Sequence, residues 1–180
     1  VEELAAEADL AIFNREVQLM CDFELAFINV VQQRFPLVSV KCCFFHFTQS
    51  IRRKATDVIT AVSKAAGKNS AKVHLAMRAV RRIMMLPLVP EELITPELVE
   101  LIVAASTDGR ARLPRELMAL RDYILRTYVG KRRARSGPVL RPRFPPALWN
   151  VSGMASRTNN AAESVHAQMN SEVKGKLLVF

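Results

Sequence analysis

The chain reads as a mixed α/β protein: a parallel βαβ unit, a large all-helical insertion after it, and a C-terminal helix. Three observations carry this. A short apolar run, residues 17–21, and a second run dense in Val and Phe, residues 37–47, flank an apolar-rich segment, 25–35, that stops at Pro36. Neither run alternates cleanly with polar residues, which predicts strands covered on both faces of a parallel sheet. From 47 to 129 the apolar positions repeat at helical spacing. A parallel pair needs a crossover, and the segment between the runs supplies it.

Taken in order, residues 1–13 predict a helix with an acidic start, Glu2 and Glu3, and apolar Leu4, Ala8 and Ala11. The strand–helix–strand unit follows, with Asp22 at the carboxyl end of its first strand and His46 closing its second. Residues 47–66 form the clearest amphipathic helix, with Phe47, Ile51, Ala55, Val58, Ile59 and Val62 on one face. Gly67 stops it. Asn69 or Ser70 caps the next helix, whose expected buried face is Val73, Ala76, Met77, Val80 and Met84. Thr95 caps another, with Pro96 at its first position and Leu98, Leu101 and Ile102 inward. Residues 113–129 predict one more helix. Residues 130–157 read as a basic, proline-rich loop anchored at Phe144 to Asn150. The last helix starts near Asn159 or Asn160. The implied organisation is a partial α/β core at 1–50, a helical insertion at 51–130, a basic loop at 131–157, and a C-terminal helix with tail at 158–180.

Among the 180 residues, 26 Lys and Arg stand against 17 Asp and Glu, a net charge of +9. That balance favours polyanions, DNA first, although a basic globule with no such partner is the plain alternative. Cys21, Cys42 and Cys43 make no disulfide framework. They sit in apolar strands, which suits a reducing compartment. No apolar run is long enough to span a bilayer, and no basic leader is seen, so a soluble protein away from membranes is expected. The cluster at Lys131, Arg132, Arg133 and Arg135 resembles a nuclear localisation patch, hence an expected place in the nucleus.

Two acids stand out. Asp22 ends a strand, where open α/β sheets place ligands, and Glu163 lies far along the chain on the last helix. Brought together, their oxygens would suit Mg2+ or Mn2+. Taken singly, Asp22 could equally be a helix N-cap and Glu163 a first-turn acid. Cys43 and His46 stand three apart, a spacing found in zinc sites. A structural zinc takes four ligands; Cys42, His74 and His166 are candidates to complete one, but no second C-x-x-C or H-x-x-x-H exists, so zinc is not expected. His166 shares a helix face with Glu163. Basic residues form a helical group, Arg52, Arg53, Lys54, Lys72, Arg78, Arg81 and Arg82, and a loop group that adds Arg141 and Arg143 to the cluster above. Both can bind phosphates without reading sequence, and each alone could be a solvated face.

Five pieces in one order resemble the Mutator-like element (MULE) transposases. They are Cys21-Asp22-Phe23-Glu24-Leu25-Ala26; Cys42-Cys43-Phe44-Phe45-His46-Phe47-Thr48-Gln49; Met84-Met85-Leu86-Pro87-Leu88-Val89-Pro90; Tyr123 to Gly130; and Leu148-Trp149-Asn150 followed by Arg157-Thr158-Asn159-Asn160, Glu163 and His166. The resemblance implies a partial RNase H-like fold interrupted by a helical insertion. It implies DNA cleavage and strand transfer with Mg2+ or Mn2+. Asp22 and Glu163 would be catalytic metal ligands, Cys43 and His46 the family's C-x-x-H pair, and His166, Arg157 and Asn160 phosphate contacts.

The match departs in places. Lys41 and Cys42 precede Cys43 where the family has glycine just before the cysteine, and Ser164-Val165 replaces a glycine and an aromatic. The family's first Asp, on a strand upstream of Asp22, has no counterpart, since neither Asp9 nor Glu16 lies on a matching strand. The expectation is a fragment, a decayed copy or a domesticated derivative that cuts little by itself. Its unpaired strand edge predicts self-association. The alternatives are a non-catalytic DNA-binding regulator and a helical protein-interaction scaffold.

Overall fold

In the computed structural model, residues 16–68, 70–105, 115–132 and 137–158 are described. The helices predicted at 1–13 and from Asn159 or Asn160 onward lie outside them. Strand β1 (Val17–Cys21) leads through Asp22, Phe23 and Glu24 into helix α1 (Leu25–Arg34), which returns to strand β2 (Val38–Cys42). The two strands pair in parallel, with Val17 opposite Val38 and Cys21 opposite Cys42. The expected βαβ unit is therefore present. Pro36 cannot continue α1, and the Val38 N–H donates to the Phe35 carbonyl to set the turn into β2.

Two expectations for the strands fail. Coverage on both faces was expected, yet β2 alternates: Val38, Val40 and Cys42 are buried while Ser39 is exposed. Its own sequence, Val-Ser-Val-Lys-Cys, sets that period of two. The second strand was expected to run to Phe47 but ends at Cys42, and helix α2 (Phe44–Ala66) starts two residues later. Cys43 is the junction. Its N–H completes the ladder on the Cys21 carbonyl at 2.8 Å, and its own carbonyl accepts from Phe47 N–H. Phe44 and Phe45 read as strand because both are apolar. As helix residues they put Phe47 in register with Ile51, Ala55, Val58 and Val62, all buried.

Helix α3 (Ala71–Met84) is capped by Ser70, whose hydroxyl accepts from Val73 N–H. Its buried face includes Leu75, Ala79 and Ile83, where Met77 and Met84 were expected. Short 3-10 turns at Leu86–Leu88 and Glu91–Leu93 lead to α4 (Pro96–Ala104), capped by Thr95 as expected. There Pro96, Val99 and Val103 face inward, while Leu101 is 62% exposed. Helix α4 is apolar almost all round, so periodicity could not choose its inner face. Helix α5 (Arg115–Ile124) continues as a wider π turn over Leu125–Val129, closed by Gly130 N–H on the Leu125 carbonyl.

The expected loop after Gly130 holds some order. Strands β3 (Lys131–Arg132) and β4 (Val139–Leu140) form a small antiparallel ladder, and helix α6 (Pro146–Trp149) follows. Helix α6 packs against β2, where Lys41 Nζ donates to the Ala147 carbonyl. Trp149 is fully buried. Its ring stacks on Phe47 at 4.9 Å, and its indole N–H is shared between the carbonyls of Tyr128 and Phe144. Phe23, Tyr128 and Phe144 complete an aromatic cage. Beside it, Asn150 Nδ2 donates to the Val89 carbonyl at 2.7 Å, and Val151 N–H donates to the Pro87 carbonyl. Two distant stretches of the resemblance, Leu-Pro-Leu-Val-Pro and Leu-Trp-Asn, thus meet through hydrogen bonds.

Candidate active site at the strand ends

Asp22 is the residue after β1 and lies at the carboxyl end of the parallel pair. The position at the N-cap of α1 belongs to Glu24, whose side chain caps nothing. Asp22 is thus not the cap of α1. Its Oδ1 lies 2.9 Å from Nδ1 of His46, with the aspartate side chain 56% exposed and the histidine 23%. At that distance the ring N–H does not point along the line to the oxygen, so the contact is electrostatic before it is a hydrogen bond. His46 was expected at a strand end. It stands instead in the first turn of α2, which carries it beside the strand end it was expected to close.

A third segment arrives at the same place. Phe44 N–H, at the first position of α2, donates to the carbonyl of Arg157 at 2.9 Å. Arg157 is exposed, and its guanidinium is turned back onto the Met154 carbonyl. The chain therefore returns to the carboxyl end of the β1–β2 pair six residues before Glu163. Glu163, His166 and Asn160 themselves lie outside the described residues, so the meeting of Asp22 with Glu163 does too.

The cysteines sit beneath. Cys21 and Cys42 are register partners, and Cys42 is fully buried. The hydrogen bond between the two thiols lowers the pKa of Cys21 and, together with burial, pushes that of Cys42 far up. Cys43 is buried at the head of α2. Among the described residues, no three His, Cys, Asp or Glu side chains converge to hold a metal. Asp22 contributes one hard carboxylate donor, the type that Mg2+ and Mn2+ take.

The basic residues divide. Arg52 and Arg53 on α2 and Arg78, Arg81 and Arg82 on α3 are exposed, and Lys54 is half-buried. Lys131 is exposed. Arg132 is committed elsewhere: it pairs with Glu97 at 2.6 Å and donates to the Gly137 carbonyl. That bond also holds the Glu97 carboxyl below its usual range. Arg132 was expected among the loop's phosphate-binding cations and serves here to fasten the β3–β4 hairpin to α4. Arg133 and Arg135 lie outside the described residues.

Sequence reasoning missed the Asp22–His46 contact and the Phe45 ring, 46% exposed and packed edge-on against the imidazole at 5.5 Å. An apolar pair after two cysteines carries no signal of a helix start, so neither could be placed. No helix among the described residues is long and apolar enough to cross a membrane. The chain matches no protein-family model, no curated protein and no solved structure.

Proposed function

We propose that this chain is part of a MULE-type transposase catalytic domain, with an RNase H-like core that cleaves and joins DNA phosphodiesters using Mg2+ or Mn2+. The observation that carries the reading is the convergence at one sheet end. Asp22, the Cys43–His46 pair and the backbone of Arg157 belong to three separate stretches of the resemblance, and all three adjoin there. The contacts of Asn150 with Val89 and of Val151 with Pro87 support it too, because they join two further stretches.

In this reading Asp22 and Glu163 would hold the cation. When bound, the cation would polarise a phosphate oxygen and activate the attacking one. The chain's own residues do the rest. Asp22 would hold the metal at the sheet end. Arg157, Asn160 and His166 would face the phosphates nearby. The exposed cations of α2 and α3 would hold the DNA backbone, through contacts that release counterions and weaken with salt.

The test uses Mn2+ as a paramagnetic probe and DNA retention at two salt levels. Expected are broadened amide signals at residues 21–24 and 43–47, and DNA binding that falls as salt rises. Absence of both would overturn the reading. Salt-sensitive DNA binding without any broadening at those residues would favour a non-catalytic DNA-binding regulator.

A further inference from the structure

We propose that His46 is the positioning residue for Asp22, holding its carboxylate in place through Nδ1. The purpose assigned to the contact rests on the metal-site reading above. The contact itself rests on geometry alone. Nδ1 of His46 is sealed from solvent, and a sealed ring nitrogen is costly unless an acceptor stands beside it. Asp22 Oδ1 is there at 2.9 Å. The histidine χ2 torsion is soft, so bringing the N–H onto the line to the oxygen costs little.

The two partners differ in how firmly they are held. His46 stands on the first turn of a 23-residue helix whose start is pinned twice: Cys43 N–H on Cys21 and Phe44 N–H on Arg157. The next residue, Phe47, is fully buried and stacked on Trp149. Phe45 packs against the imidazole edge. Asp22 sits in the short link between β1 and α1, more than half exposed. The more firmly anchored member therefore orients the more exposed one. A cation site needs its carboxylates already turned toward the ion, and groups that orient a metal ligand matter to affinity by about 10–100-fold.

The contact also fixes a tautomer. A neutral imidazole with Nδ1 against a carboxylate carries its proton on Nδ1. Nitrogen-15 spectra of the imidazole, taken without metal while the ring is neutral, read this directly. Expected is the Nδ1–H form in the wild type and a shift away from it in Asp22→Ala. A wild-type ring protonated on Nε2, or a tautomer indifferent to Asp22→Ala, overturns the proposal whatever the metal does.

Mn2+ affinity, measured by its electron resonance signal, supplies the second arm. His46→Ala should weaken binding about 10–100-fold. His46→Asn, whose amide nitrogen can stand where Nδ1 does, should restore most of it. A purely structural role for the ring would not be rescued in this way. If Asp22→Asn abolishes Mn2+ binding and His46→Ala leaves it unchanged, the positioning role fails while the metal-site reading stands. If the wild type binds no Mn2+ at this site, both fail.

Discussion

His46 and Phe47 are neighbours on α2, and they serve two regions built on opposite terms. Phe47 belongs to the aromatic cage, where Trp149, Tyr128, Phe144 and Phe23 lock together and every polar group on Trp149 and Asn150 described above has a partner. His46 belongs to the strand end, where one half-exposed carboxylate, one ring nitrogen and one backbone carbonyl meet. The cage fixes the fold and leaves nothing for a ligand. The strand end leaves a carboxylate more than half exposed and open to chemistry. One helix holds the second region still because it is anchored in the first.

The largest break in that contrast is Trp149→Ala. It removes a fully buried ring and strands two carbonyls, those of Tyr128 and Phe144. The expected loss is about 3–5 kcal/mol, read from urea unfolding followed by circular dichroism. Trp149→Phe keeps a ring on Phe47 but loses the N–H and part of the buried indole volume, so it should cost less, about 1–3 kcal/mol. Equal losses in the two variants would mean that the indole bond, and not the packing, holds the cage.

Alkaline pH sharpens the contrast through ionisation. Burial pushes the Tyr128 hydroxyl well above its ordinary pKa, and Cys42 is raised by its bond to Cys21 and by burial. Unfolded, a thiol ionises at about 8.5 and a tyrosine at about 10. Folded, both groups keep their protons above those values, so there the native state binds more protons than the unfolded one, while Cys21, lowered by the same bond, acts the other way only below the thiol's unfolded pKa. The stability that Cys42 and Tyr128 contribute is therefore fully present below their unfolded pKa values and falls as pH rises beyond them, by about 1.4 kcal/mol per pH unit for each group. Urea midpoints at neutral pH and near pH 10 should differ accordingly, and Cys42→Ala should flatten the part that begins first.

Legibility in the sequence followed the same division. The periodic helices α2, α3 and α5 were readable because one face of each is apolar. The inner face of α4 was not, since Leu98, Val99, Leu101, Ile102 and Val103 offer no contrast. The strand-to-helix junction at Cys43 was hidden by Phe44 and Phe45, whose apolar character suits either state. Asp22 could be placed at a strand end from sequence, but its contact with His46 needs that junction and so could not. The return of Arg157 to the same end is a tertiary fact, carried by a backbone carbonyl that any residue could supply. Side-chain patterning holds no record of it.

The smallest expected effect concerns Asp22 itself. Asp22→Asn keeps an oxygen acceptor beside Nδ1 of His46 and removes only the charge. Its side chain is more than half exposed, and ion pairs in such settings contribute about 0–1 kcal/mol. The unfolding free energy from urea denaturation should therefore change by less than about 0.5 kcal/mol, an order of magnitude below the loss in Trp149→Ala. A loss of several kcal/mol would make Asp22 part of the structural core and turn the strand end into a second cage. A negligible loss, alongside abolished Mn2+ binding, would separate the two regions in the way their burial already does: a carboxylate placed where folding does not need it is held there for something that the fold alone does not explain.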